Sequence, residues 1–235
     1  LNKPEGGFHL PDPDYSLRHW NARGFLPGKQ ATRQECMYIC ILQTHFILMS
    51  KPQPLLDLNE TLVSSRNVFD GELLHVYQDQ VRMPDGKIKV REYIAHPGAV
   101  VIIPLLENNE VVLERQHRYP LHRDFYELPA GKIDPGEEPL QCAKRELLEE
   151  TGFEAASWRH LTTLHPCIGY SDEKLIYYLA KELVFQGANP DEGEHLELFT
   201  LSVTTALEWV KEGRITDNKT VSGLFWAEKV LRGEW

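Results

Sequence analysis

The chain has 235 residues, 42% of them hydrophobic, enough for one generous domain, or one domain with an appendage, around a sizeable core. Its formal charge of −10 argues against general affinity for nucleic acid or anionic membrane, which reward clustered Lys and Arg; an anionic ligand would need bound cations or a few placed arginines. Cys36, Cys40, Cys142 and Cys167 show no regular framework and fit a reduced, cytoplasmic setting, and no apolar run reaches the roughly 18 to 20 residues that span a bilayer.

Residues 1–48 carry scattered Pro and Gly, no sustained period and a formal charge of +1. They are expected to form a poorly structured tail upstream of the working protein, which would start at Met49; a short targeting or membrane-associating appendage is the rival reading. Within 49–97, "TLVSSRNVF", "ELLHVYQDQV" and "KIKVREYIA" predict a small antiparallel meander, the last two joined by the turn "MPDG". A second domain is expected over 98–235. There "AVVIIPLL" and "EVVLERQH", flanking Asn108 and Asn109, predict a buried hairpin. Pro139 suits the first position of a helix and Gly152 the position just past its end. "WRHLTTLH", "EKLIYYLAKEL" and "HLELFTLS" predict three strands, and "TTALEWVKEG" and "NKTVSGLFWAEKVLRG" two closing amphipathic helices. Many strands with few helices argue for an α+β fold or an α/β/α sandwich.

The helix from Pro139 carries the chemistry. At roughly 100° per residue, Leu140, Ala143, Leu147 and Thr151 fall on one side, while Glu146, Glu149 and Glu150 share an arc of about 100° on the other. Glutamates at these spacings repel by a few tenths of a kcal/mol per pair unless cations sit between them, and their hard oxygens suit Mg²⁺ or Mn²⁺. A solvated acidic face would give the same local run. The wider spacing decides between the two. From Gly131 the chain reads glycine, five residues, Glu137, seven residues, Arg145-Glu146-Leu147, one residue, Glu149-Glu150, one residue, Gly152-Phe153. Every fixed position of the Nudix box is present, so the chain resembles a Nudix pyrophosphohydrolase.

That resemblance implies an α/β/α sandwich with a mixed sheet, and hydrolysis of a nucleoside diphosphate linked to another moiety by attack of water on one phosphorus. It implies Glu146 and Glu150 as principal metal ligands, Glu149 as a third, the Ala130 carbonyl completing the shell, and a structural salt bridge from Glu137 to Arg145. "ERQHRYP", "ELPAGKIDPGE" and "HPCIGYSDEKL" look like the ADP-ribose pyrophosphatase branch, although Cys167 and Ile168 before Gly169 depart from its usual pattern. Within that branch a catalytic glutamate comes from a loop like "NPDEGEHLEL", where Asp191, Glu192 and Glu194 stand; Glu192 is the expected base and Glu194 a further metal ligand. Arg118 is the expected diphosphate contact, with Lys132, Gly169 and Glu173 as weaker substrate candidates. The branch is typically homodimeric, which would give the meander residues Glu72, Arg91 and Glu92 a role in the neighbour's site. ADP-ribose is therefore the expected substrate, another nucleotide sugar such as GDP-mannose or ADP-glucose the alternative, and a catalytically silent ligand-sensing module the third reading.

Overall fold

The computed structural model describes residues 56–187 and 195–235; the tail expected over 1–48 lies outside the described residues. Three strands open the described chain, β1 (Thr61–Asp70), β2 (His75–Arg82) and β3 (Ile88–Ala95), and they pair as the expected antiparallel meander. Gly86, at φ 82°, turns β2 into β3 in a left-handed conformation that glycine adopts without a Cβ clash. Every residue of β1 is exposed. The end of β3 is tied onward through the Ile94 N–H to the Tyr170 carbonyl at 2.9 Å and the His96 N–H to the Asp172 carboxylate at 2.8 Å.

Two further sheets follow. One is mixed, in the order β7-β4-β9-β8, from β7 (Ala130–Lys132), β4 (Ala99–Pro104), β9 (Leu175–Phe185) and β8 (Phe153–Leu164). β4 runs parallel to β9, and the other two pairings are antiparallel. The second is antiparallel, in the order β10-β5-β6, from β10 (Leu196–Ser202), β5 (Glu110–Arg118) and β6 (Arg123–Glu127). Helix α1 (Pro139–Thr151) covers one face of the mixed sheet, and α2 (Val203–Lys211) and α3 (Asn218–Leu231) follow β10.

β4 organises both layers because all six of its residues are buried. The period of two sends Val100 and Ile102 to the α1 side, where they meet Cys142, Ala143 and Leu147, and sends Val101 and Ile103 the other way, against Leu113, Leu128, Tyr177 and Leu224. Each fully buried aliphatic side chain there contributes about 1.5–3 kcal/mol. Among the described residues, no helix is long and apolar enough to cross a membrane.

The expected hairpin of β4 with β5 needs correction. Its turn forms, with Asn109 at φ 62° donating to the Leu106 carbonyl, but only the isolated bridge Leu105↔Val111 joins the two segments. β4 already has β7 and β9 as neighbours and β5 has β6 and β10, so each strand is saturated within its own sheet. β6 and β7 were not anticipated; they have five and three residues and begin with Arg-Asp and Ala-Gly, too short and too polar to show a period.

Gly223 sits where α3 crosses the core. A Cβ there would lie 2.4 Å from the Leu128 Cδ1, and Leu128 is fully buried with nowhere to move. Gly223→Leu is therefore expected to lower stability by about 1–3 kcal/mol through overpacking; a urea melt matching the parent would show that the helix shifts freely.

Candidate active site

α1 begins as its sequence requires, with Pro139 in the first turn, and ends at Gly152, which takes φ 70° and donates to the Leu148 carbonyl. Ala143 and Leu147 anchor it to the mixed sheet. This leaves Arg145, Glu146 and Glu149 half-buried along the flank that meets β7 and the loop 133–138.

Arg145 gathers the carboxylates. Its Nε and Nη2 donate to Glu137 Oε1 and Oε2, each at 3.0 Å, as a two-pronged fork. Its Nη1 donates to Glu146 Oε1 at 2.8 Å and Glu149 Oε2 at 3.0 Å. The salt bridge implied for Glu137 is present, and Glu137 also accepts from the Asp134 N–H at 3.1 Å, which closes the loop on itself. The Arg145 guanidinium holds the Glu137 carboxyl down to about 2, and the surrounding glutamates in turn push the Arg145 pKa up.

Two backbone features of β7 set the remaining carboxylates. The Ala130 N–H donates to Glu150 Oε2 at 3.0 Å, so this glutamate, only 5% exposed, lies beside the backbone expected to complete a metal shell. Gly131 stands directly against Glu146: a Cβ on Gly131 would lie 1.8 Å from the Glu146 Cδ and 1.9 Å from its Oε1. The first glycine of the pattern is thus a steric requirement of the helix glutamate fifteen residues later. Cys142 is spent on structure; burial pushes its thiol up to about 12, and its Sγ donates to the Lys132 carbonyl at 3.3 Å.

Glu137, Glu146, Glu149 and Glu150 with Arg145 leave this patch with a formal charge of −3. Among the described residues, no three acidic, His or Cys side chains are grouped so as to hold a metal ion; Glu146 and Glu149 turn oxygens to Arg145, and Glu150 turns one to the Ala130 N–H. The chemistry of the donor set still fits a hard divalent cation: it is all oxygen and it is in net negative surroundings.

The other expected residues are distributed more widely. Arg118 lies at the end of β5 and binds Glu127 through its Nε and Nη2, at 2.8 and 2.7 Å. Lys132 reaches the cluster through its carbonyl, which also accepts from Arg145 Nη2 at 3.4 Å. In the meander, Arg91 pairs with Glu60, Glu92 accepts from Gln78 at 2.7 Å, and Glu72 is exposed between β1 and β2. Gly169 is exposed, and the Glu173 N–H donates to Ser171 Oγ at 3.2 Å. Asp191, Glu192 and Glu194 lie outside the described residues.

Sequence reasoning missed the partners of Arg118, namely Glu127 and, behind it, Lys219 and Asp217 of α3. A signal for Asp217 existed. Asp followed three residues later by Thr, before an apolar helix, is a helix N-cap pattern, and Asp217 does accept from the Thr220 N–H at 3.0 Å. Nothing local announces its link to Glu127.

Comparison with known proteins agrees with this geometry. The NUDIX domain model matches residues 95–221, and the model of the nucleoside diphosphate sugar hydrolase N-terminal domain matches residues 60–94. A methanol dehydrogenase activator of Bacillus methanolicus is 38% identical over 164 residues, covering 69% of this chain and 89% of the relative. An ADP-ribose pyrophosphatase of Bacillus subtilis (strain 168) is 34% identical over 165 residues, with the same two coverages of 69% and 89%. The crystal structure of an ADP compounds hydrolase superposes with a TM-score of 0.70 at 24% identity, covering 77% of this chain and 98% of that one, which shows a shared fold. A family model that spans more than half of the chain, together with these relatives, shows that the chain belongs to the Nudix family of hydrolases.

Proposed function

We propose that this Nudix hydrolase cleaves the diphosphate of ADP-ribose, giving AMP and ribose 5-phosphate, with Mg²⁺ as the working cation and Mn²⁺ as a substitute. The observation that carries the reading is the packing of Glu146 and Glu150 against the Gly131 and Ala130 backbone, which brings hard carboxylate oxygens up to one stretch of β7. The choice of ADP-ribose rests on the relative of that name and on the three sequence stretches typical of that branch.

Hydrolases of this family generally need a divalent metal, and here Glu146, Glu149, Glu150 and the Ala130 carbonyl would hold it. Bound there, the cation would screen the diphosphate's charge and polarise its phosphoryl oxygen. The chain's own residues supply the rest. Arg145 holds Glu146 and Glu149 on one flank of α1, so that like charges stay together before the substrate arrives. Arg118, whose Nε and Nη2 are held by Glu127, offers its Nη1 edge to the diphosphate. Glu192 takes the proton of the attacking water as its oxygen bonds to phosphorus and the bond from that phosphorus to the bridging oxygen breaks; Glu194 adds a metal ligand. Lys132, Gly169 and Glu173 border the bound substrate.

A homodimer completes the proposal. Phe69 and Val90 of the meander, opposite Val76 and Gln80 on one face of the sheet, are 55% and 52% exposed, a level of apolar exposure that marks an interaction face. A second copy would cover it, bringing Glu72, Arg91 and Glu92 to the neighbour's nucleotide. A reducing, cytoplasmic setting fits the free thiols of Cys142 and Cys167.

The decisive measurement is hydrolysis by the purified protein with Mg²⁺ of ADP-ribose, GDP-mannose and ADP-glucose in parallel. ADP-ribose should show the highest kcat/KM and yield AMP; a clear preference for another sugar nucleotide overturns the substrate. Gly131→Ala should push the flexible end of Glu146 aside while leaving the melting temperature nearly unchanged, and activity should fall about 10- to 100-fold, as for lost support of a metal ligand; full activity in that variant would remove Glu146 from the site. Glu192→Gln should lower kcat by about two orders of magnitude, as loss of a positioned base does, and unchanged turnover would dismiss Glu192. Light scattering should give twice the chain mass and Arg91→Ala should raise KM; a monomer with unaltered KM rejects the shared site.

A further inference from the structure

Away from the carboxylate helix, a second polar cluster joins three elements far apart in sequence: Arg118 from β5, Glu127 from β6, and Asp217 with Lys219 from the start of α3. They line one end of a cavity of about 310 Å³ whose apolar wall includes Leu121 and Phe125. The cluster is graded in depth. The side chains of Glu127 and Lys219 are 3% and 13% exposed, whereas that of Arg118 is 44% exposed.

The bonds form a continuous chain between the core and the opening. The Leu128 N–H donates to Thr220 Oγ1 at 2.8 Å, and the Thr220 hydroxyl donates to Asp217 Oδ2 at 2.7 Å. Lys219 Nζ donates to that same Asp217 oxygen at 3.0 Å and also to Glu127 Oε2. Glu127 then receives the Nε and Nη2 edge of Arg118 on both its oxygens. With that edge engaged, the Nη1 edge of the planar guanidinium points away from Glu127.

Glu127 and Lys219 border the cavity but present little surface to it, at 3% and 13% exposed, and both are committed to bonds within the cluster. We infer that Lys219 is a positioning residue for substrate binding: by pinning the Glu127 carboxylate it fixes the Arg118 guanidinium, so that the Nη1 edge is a preset contact for a phosphate oxygen of a nucleoside diphosphate. This rests on the proposed reading of Arg118 as a diphosphate contact. A glutamate bound to Arg118 alone would rotate with it, and the ordering of both side chains would be charged against substrate affinity. Lys219 and Asp217 remove that freedom in the folded protein, before any ligand arrives. A contact to a non-bridging oxygen of the phosphate that water does not attack meets nearly the same charge throughout the reaction, so losing it should weaken binding of ground state and transition state alike.

The test is steady-state kinetics on ADP-ribose with Mg²⁺ for Arg118→Ala, Lys219→Met, Lys219→Arg and the double variant Arg118→Ala/Lys219→Met. Lys219→Met should raise KM about 5- to 10-fold with kcat within about twofold, the signature of lost uniform binding, and Lys219→Arg should restore KM to within about twofold. In the Arg118→Ala background the same Lys219→Met change should add less than about twofold, because its effect passes through Arg118. Equal factors in both backgrounds, or no rise in KM for Lys219→Met, would overturn the relay while leaving Arg118 as a contact. An unchanged KM in Arg118→Ala itself would instead sink the diphosphate reading on which the relay stands. Should Lys219→Met fail to fold, Glu127→Gln keeps the shape of the centre and carries the same expectation: a raised KM at nearly constant kcat supports the relay, and an unaltered KM rejects it.

Discussion

One guanidinium holds the site together. Arg145 sits among Glu137, Glu146 and Glu149, with its side chain 31% exposed, and binds three of the four glutamates of the cluster; the fourth, Glu150, is held by the Ala130 N–H. Glutamates at positions i+1 and i+4 of one helix would repel each other and turn outward; with Arg145 between them they stay on the flank that faces β7. The bond to Glu137 does a different job. It ties the helix to the loop before it, so that β7 and α1 meet at fixed separation and Gly131 is brought against Glu146. The sign of the pH coupling follows. A carboxyl with its folded pKa held near 2 adds stability that is complete above its ordinary value near 4.5 and lost only as the pH falls through about 2, so this brace is intact throughout the physiological range.

The sheets explain why the brace is needed on one side only. β4 is buried on both faces and carries α1 on one of them through Val100 and Ile102, while its partner β9 continues the same alternation with Tyr178 and Ala180 toward α1 and Tyr177 and Leu179 away from it. The buried face of α1 is therefore fixed by packing. Its acidic flank meets only the short edge strand β7 and the loop 133–138, and ion pairs take over there. The divergence of β4 and β5 serves the same end, because it lets the Glu127–Ala130 segment leave one sheet as β6 and join the other as β7. The residues that support Arg118 and those that support Glu150 thus sit within three positions of each other on one stretch of backbone.

What could be read in advance follows from this division. Helix α1, its ends at Pro139 and Gly152, and its acidic flank are local properties of thirteen consecutive residues, and the chain states them plainly. Meander, central strands and closing helices likewise announce themselves by period. β6 and β7 do not, since neither is long enough to show one, and the splitting of β4 from β5 is decided by competition among partners that no single segment contains. The Glu127–Lys219 contact joins residues 92 apart, and nothing near either one selects the other. Gly131 lies between these cases: its place in the pattern was visible, but its reason, the 1.8 Å approach of Glu146, appears only when β7 and α1 are packed.

Charge then sets how such a site can work at all. A diphosphate approaching a patch of formal charge −3 on a chain of net charge −10 meets repulsion at every distance. The two cationic groups beside the cavity, Arg118 and Lys219, do not cancel it, because Glu127 and Asp217 already match them one for one. Affinity for an anion must therefore come from cations brought in from solution, with Arg118 supplying direction and not net charge. A substitution that adds positive charge at the patch would weaken cation binding and with it the very attraction it was meant to supply; the one arginine there, Arg145, escapes this because three glutamates outnumber its charge.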